Sequence, residues 1–174
     1  MYAGRMPRFS GRAGRAVGLE SGKTRVVAAV RSFRAPDTDA VMAIVEESPH
    51  AANWSRESYA RFAEESGSIV LVIESDGQMS GFLVGRLAGD QAEVLNLAVR
   101  ARQRRRGAGT ALLAAALKEF GLMGANSVYL EVRESNTGAI AFYERHGFAK
   151  TGRRKEYYRD PGEAAVTMKK KLGD

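Results

Sequence analysis

The hydrophobic residues of this 174-residue chain fall into short runs that alternate between the spacing of strands and the spacing of helices. Strand-like runs bounded by turn residues occupy residues 25–33, 69–73, 81–87, 92–99, 127–132, 149–158 and 165–172. Apolar positions at helical spacing follow Asp37 and Ser55, each a suitable N-cap, and recur over 111–122 and 137–146. The resulting order, βααβββαβαββ, predicts one α/β domain with a mixed, mostly antiparallel sheet flanked by helices.

Two neighbouring strands of this sheet are expected to run parallel. A helix at 111–122 separates the strand at 92–99 from the strand at 127–132, whereas short turns join the strands at 69–73, 81–87 and 92–99 to one another. A helix crossover places both carboxyl ends at the same edge of the sheet, so that edge is where a ligand site is expected.

Charge is distributed unevenly along the chain. The net charge of +7 comes entirely from residues 1–34, which hold eight basic residues and one acidic residue. We interpret residues 1–22 as a disordered basic extension and residues 23–174 as the folded domain. An organelle transit peptide is the alternative for the extension. Because the remainder is neutral, direct nucleic-acid binding by the folded domain is not expected.

Composition narrows the chemistry further. The chain has no cysteine and only two histidines, so we expect no disulfide and no metal site, and a reducing, cytoplasmic location. Its apolar runs are shorter than the ~20 residues that a membrane-spanning helix needs, so no membrane association is expected.

A basic glycine turn, residues 104–110, connects the strand at 92–99 to the following helix. Glycine at 107 and 109 permits close approach of a ligand to the backbone, and the helix N-terminus and three arginines favour an anion. The pattern therefore predicts a phosphate site, although an ordinary turn with solvated arginines has the same composition. The residues of this turn are Arg104, Arg105, Arg106, Gly107, Ala108, Gly109 and Thr110.

Three polar side chains follow the second parallel strand or interrupt it. Glu131 alternates with the apolar Leu130 and Val132, and burial of its face would make the carboxylate basic enough for a general base. Tyr143 is a candidate proton donor to a leaving thiolate. The alternatives are a solvent-facing glutamate, a core tyrosine and, for Asn136, a simple helix N-cap.

The combined motif resembles the Gcn5-related N-acetyltransferases (GNAT), over residues 34–170. Within that family the ribosomal-protein-alanine N-acetyltransferase (RimI-type) branch is the most similar, through Trp54-Ser55 and an arginine–tyrosine tail. The residues that carry the resemblance are Leu97, Ala98, Val99, Arg104, Gly107, Gly109, Leu130, Glu131, Val132, Arg133, Asn136, Ala141, Tyr143, Gly147, Phe148, Arg153, Arg154, Tyr157 and Tyr158.

The resemblance implies a GNAT fold with a splayed parallel central strand pair and acetyl-CoA as cosubstrate. Leu97, Ala98 and Val99 would pair with the pantetheine arm, residues 104–110 would hold the pyrophosphate, and Asn136 would contact the cofactor. Glu131 would act as general base and Tyr143 as general acid.

The resemblance also implies an acceptor site and an acceptor class. The acceptor would be the N-terminus of a protein, possible examples being ribosomal proteins, and it would contact Trp54, Tyr157 and Tyr158. The chain has Ala164 where the branch commonly carries an aspartate, which leaves the acceptor's identity open. The alternative acceptor within the same family is a lysine, a polyamine or a small-molecule amine. The non-enzymatic alternative is a module that binds a nucleotide or RNA.

Overall fold

The computed structural model describes residues 17–18 and 27–173 of the chain. Of the predicted basic extension, only Val17–Gly18 lies within these residues, where it forms a two-residue strand paired with the next strand. The rest of the extension lies outside the described residues, so its disorder stays a prediction.

The described residues form eight strands and four α-helices in the predicted order, with one short strand added at the start. The strands are β1 (Val17–Gly18), β2 (Val27–Ser32), β3 (Ser68–Ser75), β4 (Gln78–Ala88), β5 (Gln91–Val99), β6 (Ser127–Arg133), β7 (Ala149–Arg159) and β8 (Gly162–Lys171). The helices are α1 (Thr38–Glu46), α2 (Arg56–Glu64), α3 (Ala108–Leu122) and α4 (Thr137–Arg145).

All strands belong to one sheet, in the order β1-β2-β3-β4-β5-β6-β8-β7. Only β5 and β6 are parallel, as their helical connection predicts; every other neighbouring pair is antiparallel. The sheet is therefore mixed and mostly antiparallel, which confirms the predicted fold class.

Two hydrophobic cores cover the two faces of the sheet. The first core lies under α3 and α4 and includes Leu112, Phe120 and Leu130. The second core lies under α1 and α2 and includes Ile44 and Tyr59. Alternation along each strand divides its side chains between these cores, since successive residues of a strand point to opposite faces.

The middle of β5 contains a β-bulge. The register with β4 changes from Val84 opposite Asn96 to Gly85 opposite Val94, so Leu95 is the extra residue. A β-carbon on Gly85 would lie 2.6 Å from the Phe120 ring and 2.7 Å from the Glu93 carbonyl oxygen. Glycine therefore permits β4 to approach α3 closely beside the bulge.

The two predicted N-caps at aspartate and asparagine differ in how they act. Asn136 caps α4 as expected, since its side-chain oxygen accepts the Ala139 N–H at 3.1 Å. Asp37 precedes α1 but caps no N–H of that helix. Its carboxylate instead accepts the Arg34 N–H and pairs with Arg31, an interaction that lowers the pKa of Asp37.

Candidate active site

A gap opens between the two parallel strands at the centre of the sheet. β5 and β6 pair only from Gln91 and Ser127 to Val94 and Leu130. Beyond these positions β5 stays paired with β4 as far as Val99, while β6 stays paired with β8 as far as Arg133. The strands therefore separate at their carboxyl ends, which leaves a cleft that we call the β5–β6 gap.

The last residues of β5 line this gap. Leu97, Ala98 and Val99 are paired with β4 on one side and are not paired with β6 on the other. Backbone groups on the unpaired side can bind an extended, amide-containing chain in the manner of an added strand. The resemblance implies a geometry of this kind for a pantetheine arm.

The basic glycine turn lies at the end of β5 and leads into α3. Gly107 has a φ of +87°, which a residue with a side chain rarely adopts, and the helix begins at Ala108. Within the described residues, no backbone N–H from Arg105 to Thr110 donates a hydrogen bond of normal geometry. Six successive donors at a helix N-terminus form a site suited to a phosphate group.

The arginines of the turn are not equivalent. The Arg104 Nε donates to the Val99 carbonyl oxygen at 2.9 Å, so this side chain folds back onto the end of β5. Arg105 and Arg106 are exposed, with Arg105 in the left-handed backbone region at a φ of +60°. Unlike the Arg104 guanidinium, those of Arg105 and Arg106 make no hydrogen bond within the described residues, so they are available to a ligand.

A histidine from α4 holds one residue of the turn, a contact that the sequence analysis missed. His146 Nε2 lies 3.1 Å from the Thr110 Oγ1, and His146 Nδ1 lies 2.7 Å from the Phe142 carbonyl oxygen. The imidazole also packs against the Phe142 ring, with centroids 4.4 Å apart and the ring planes tilted by 44°. These contacts connect the end of α4 to the first turn of α3, 36 residues apart in the sequence.

Glu131 lies beside the gap, on the sheet face opposite the first core. Its neighbours Leu130 and Val132 belong to that core, so alternation turns the carboxylate to the other face. The side chain is 17% exposed, and its Oε1 lies 2.7 Å from the Arg154 Nη1. The carboxylate is therefore largely buried, and its partner is the exposed end of an arginine.

Tyr143 lies on the other face of the sheet, in the first core. It is 7% exposed and packs edge-to-face against Phe142 and Phe148 in the first core. Burial, with a smaller effect of Tyr158, raises the pKa of Tyr143. The hydroxyl therefore keeps its proton at neutral pH, which a proton donor requires.

The two tail tyrosines lie close to Glu131. A hydrogen bond to Glu131, together with burial, raises the pKa of Tyr157 to about 12. Burial raises the pKa of Tyr158, which the Arg133 guanidinium covers at 4.1 Å from the ring centroid. The pairing of β7 with β8 is irregular between Arg154 and Tyr158, in the segment whose side chains reach Glu131.

Trp54 belongs to the second core instead of contacting this cluster directly. Its ring lies 5.7 Å from that of Tyr59 and 5.0 Å from that of Phe62. The segment before it is tied to β5 by Asn96, whose side-chain amide hydrogen-bonds both backbone groups of Ala52. Trp54 thus lies on the same face of the sheet as Glu131, where an acceptor would approach.

Ala164, which stands where the branch commonly carries an aspartate, lies in β8. Ala164 is 6% exposed, and its carbonyl oxygen accepts the Glu134 N–H. The adjacent Glu163 pairs with Arg133 and accepts the Ser135 N–H, which lowers the pKa of Glu163. The one carboxylate in this segment therefore joins β8 to the loop after β6.

Metal-ion sites and membrane-spanning helices are both absent from the part of the chain that the structure describes. This part contains no group of three or more histidine or carboxylate side chains arranged to hold a metal ion. None of its helices has both the length and the apolar character needed to cross a bilayer.

Comparison with known proteins identifies the family of the chain. Residues 24–148 match the profile of the acetyltransferase (GNAT) family. The chain is 35% identical over 128 residues to the [ribosomal protein bS18]-alanine N-acetyltransferase of Escherichia coli (strain K12), a match that covers 71% of this chain and 84% of the relative. It is 31% identical over 152 residues to the N-alpha-acetyltransferase of Sulfurisphaera tokodaii, and this match covers 80% of this chain and 90% of the relative.

A solved structure gives the same result for the fold. The crystal structure of the ribosomal-protein-S18-alanine N-acetyltransferase from Escherichia coli superimposes with a TM-score of 0.74 at 29% identity. The match covers 84% of this chain and 95% of that chain.

Proposed function

The chain belongs to the acetyltransferase (GNAT) family, and from this premise we propose that it acetylates the N-terminal α-amine of a protein, as ribosomal-protein-alanine N-acetyltransferases do. The observation that carries the proposal is the β5–β6 gap, which has a phosphate-type site at one end and a single largely buried carboxylate, Glu131, beside it. A GNAT enzyme uses acetyl-CoA, which supplies the activated acetyl thioester when bound.

The residues around the gap fit that cosubstrate. The free N–H groups of residues 105–110 would hold its pyrophosphate, assisted by the exposed Arg105 and Arg106. The unpaired side of Leu97 to Val99 would bind the amide-containing arm. Asn136 and Arg104 already make internal contacts, to Ala139 and Val99, so their predicted cofactor contacts would add to a structural role.

Glu131 is assigned as the general base. An acceptor amine must lose a proton as its nitrogen forms the new bond to the acetyl carbon, and the Glu131 carboxylate would take that proton directly or through water. An α-amine has a pKa about 2.4 units below that of a lysine, so its deprotonation is easier by about 3 kcal/mol. A single carboxylate is therefore better matched to an α-amine than to a lysine.

Tyr143 is assigned as the general acid. As the carbon–sulfur bond breaks, the leaving thiolate would take the proton of the Tyr143 hydroxyl. Tyr143 and Glu131 lie on opposite faces of the sheet, and both would act on groups bound in the β5–β6 gap. This separation allows the acceptor and the donor to enter from different faces and to meet in the gap.

The acceptor would lie on the open sheet face between Trp54 and the tail tyrosines. Tyr157 and Tyr158 are close to Glu131, where they would flank the first residue of the acceptor. The names of the two relatives, a ribosomal-protein-alanine and an N-alpha acetyltransferase, support an acceptor of this class.

Thermal unfolding tests the donor. A ligand that binds only the folded state raises the melting temperature, by an amount that grows with its concentration above Kd. Acetyl-CoA should stabilise the protein well beyond any effect of ATP, which lacks the pantetheine arm. Equal shifts, or none, would contradict an acetyl-CoA site.

Matched peptides test the acceptor. One peptide begins with a free alanine and contains no lysine, and the second has the same sequence with a blocked N-terminus and one internal lysine. We expect acetylation of the first peptide only. Acetylation of the blocked peptide alone would favour a lysine or another amine as the acceptor.

A further inference from the structure

The segment that leads from α1 to Trp54 is attached to the end of β5 by an arginine. Residues 47–55 connect α1 to α2, and we call them the α1–α2 loop. Arg100, the residue that follows β5, donates from its Nη1 to the Glu47 Oε1 at 2.8 Å. Glu47 is the first residue of the loop, so this ion pair holds the point at which the loop leaves α1.

Arg100 is itself held against the sheet by two backbone carbonyl groups of β4. Its backbone N–H donates to the Ser80 carbonyl oxygen at 2.8 Å, and its Nε donates to the Met79 carbonyl oxygen at 2.9 Å. These contacts place the guanidinium on the β4 side of β5, whereas the β5–β6 gap lies on the other side. Arg100 therefore holds the loop without lining the gap.

The ion pair between Arg100 and Glu47 is partly shielded from solvent. The Arg100 side chain is 27% exposed and the Glu47 side chain is 32% exposed. In the pair between Arg86 and Glu93, near the other end of β5, the corresponding values are 53% and 34%. Water screens the first pair less, and Arg100 cannot follow a displaced loop without losing its carbonyl contacts. Loss of the pair should therefore release the loop from β5.

The α1–α2 loop has two further attachments to β5 and the residues after it. Arg104 Nη2 lies 3.5 Å from the Ser48 Oγ, and the Asn96 amide hydrogen-bonds both backbone groups of Ala52. The position of the loop is thus determined by β5 and its exit. Beyond Ala52 the loop leads to Trp54, on the side of the sheet where the acceptor would enter.

Resting on the proposed function, we propose that Arg100 is a positioning residue for the acceptor: through Glu47 it holds the α1–α2 loop at the distance from β5 that the acceptor site requires. Arg100 would contact neither the acceptor nor acetyl-CoA. A small displacement of the loop would weaken acceptor binding, whereas donor binding along the free edge of β5 would be retained.

A double-mutant cycle tests this role. Arg100→Gln and Glu47→Gln should each raise the acceptor KM about three- to fivefold, the scale of a partly shielded ion pair, at nearly unchanged kcat and acetyl-CoA KM. Because both changes break the same pair, the double variant should have about the same acceptor KM as either single variant. Arg100→Lys should restore part of the wild-type value, since lysine keeps the charge but lacks the Nε contact.

Arg86→Gln is the matched control, because it breaks an arginine–glutamate pair between the same two strands at the end away from the loop. It should leave the acceptor KM unchanged. Hydrogen exchange adds a readout that does not depend on acetyl transfer. Exchange over residues 47–54 should be faster in Arg100→Gln and Glu47→Gln than in the wild-type protein, and unchanged in Arg86→Gln.

The assignment is overturned if the single variants keep the wild-type acceptor KM, if both KM values rise equally, or if the effects multiply in the double variant. Unchanged exchange over residues 47–54 would overturn it as well. If the wild-type protein acetylates the blocked lysine peptide and not the alanine peptide, the proposed α-amine acetylation fails. The same cycle, measured with the lysine peptide, then decides the role of Arg100.

Discussion

Replacement of Asn96 by alanine should both destabilise the protein and loosen its acceptor side. Asn96 is 5% exposed and lies just after the β-bulge of β5. Its amide donates to the Ala52 carbonyl oxygen at 3.0 Å and to the Tyr59 hydroxyl at 3.3 Å, and its carbonyl accepts the Ala52 N–H at 3.3 Å. One side chain therefore joins β5 to the segment that precedes Trp54.

The magnitude follows from the groups left behind. Alanine at this position leaves the Ala52 N–H without its acceptor, while the Ala52 carbonyl retains only a long contact of 3.5 Å from the Tyr59 hydroxyl. An unpaired buried polar group costs about 1–3 kcal/mol, and we expect a total loss of about 2–3 kcal/mol after partial relaxation. The same loosening should raise the KM for the acceptor more than the KM for acetyl-CoA.

Urea unfolding, followed by circular dichroism, measures the first effect. Asn126→Ala is the matched control, because its amide makes one exposed hydrogen bond to Asp90 at 3.1 Å, and it should change stability by no more than about 0.5 kcal/mol. The double variant Asn96→Ala, Tyr59→Phe should lose less than the sum of its single changes, since both residues belong to one hydrogen-bonded cluster. Burial raises the pKa of Tyr59 to about 12, so its hydroxyl stays neutral in this assay.

The result that would refute this reasoning is a loss equal to that of the Asn126→Ala control. Strict additivity with Tyr59→Phe would also contradict it, because the proposed cluster requires coupling. An unchanged acceptor KM, with the expected loss of stability, would limit Asn96 to a structural role.

Three further substitutions test other parts of the account. Tyr143→Phe should slow the chemical step by about 10²–10⁴-fold with little change in the acetyl-CoA KM. Because burial raises the pKa of Tyr143, the wild-type protein should lose no activity through ionisation of Tyr143 below about pH 10. Rapid-quench kinetics across pH measure both effects. His146→Ala should raise the acetyl-CoA KM about fivefold at unchanged kcat, because the Thr110 hydroxyl loses its hydrogen bond to the imidazole. Steady-state kinetics measure this change, and partial rescue of the KM by His146→Gln distinguishes it from misfolding. Gly85→Ala should destabilise the protein by about 1–3 kcal/mol through its contacts with Phe120 and Glu93, whereas Gly121→Ala, which meets nothing within 4 Å, should be neutral or stabilising in urea unfolding.

Much of the fold could be predicted because the apolar pattern is clear in most elements. The strand β6 alternates strictly, with Leu130 and Val132 on one face and Glu131 on the other, so the face of the carboxylate follows from the sequence. The helix connection between β5 and β6 likewise predicts their parallel pairing. The position of Glu131 beside the gap follows from these local signals.

The bulge in β5 could not be predicted in the same way. The segment from Val94 to Val99 is apolar on both sides of Asn96, so no change of period indicates that Leu95 is the extra residue. Only the pairing with β4 defines it, and that pairing depends on a strand from another part of the chain.

Contacts between residues far apart in the chain also could not be predicted from the sequence. The His146–Thr110 contact spans 36 residues and the Asn96–Ala52 contact spans 44. Neither histidine nor asparagine carries a local signal for such a partner, since each is also common on exposed helix ends and turns. Arg154 likewise carries no local signal for its partner, because the pairing of β7 with β8 decides which carboxylate it reaches.

The central claim is that the acetyl donor lies along the free side of β5 with its phosphates at the basic glycine turn. Hydrogen–deuterium exchange with and without acetyl-CoA measures this directly. We expect slower exchange in peptides covering residues 95–99 and 105–110, and little change in α2, with ATP protecting at most the turn. Unchanged exchange in both segments at saturating acetyl-CoA, or protection confined to another part of the chain, would contradict the account.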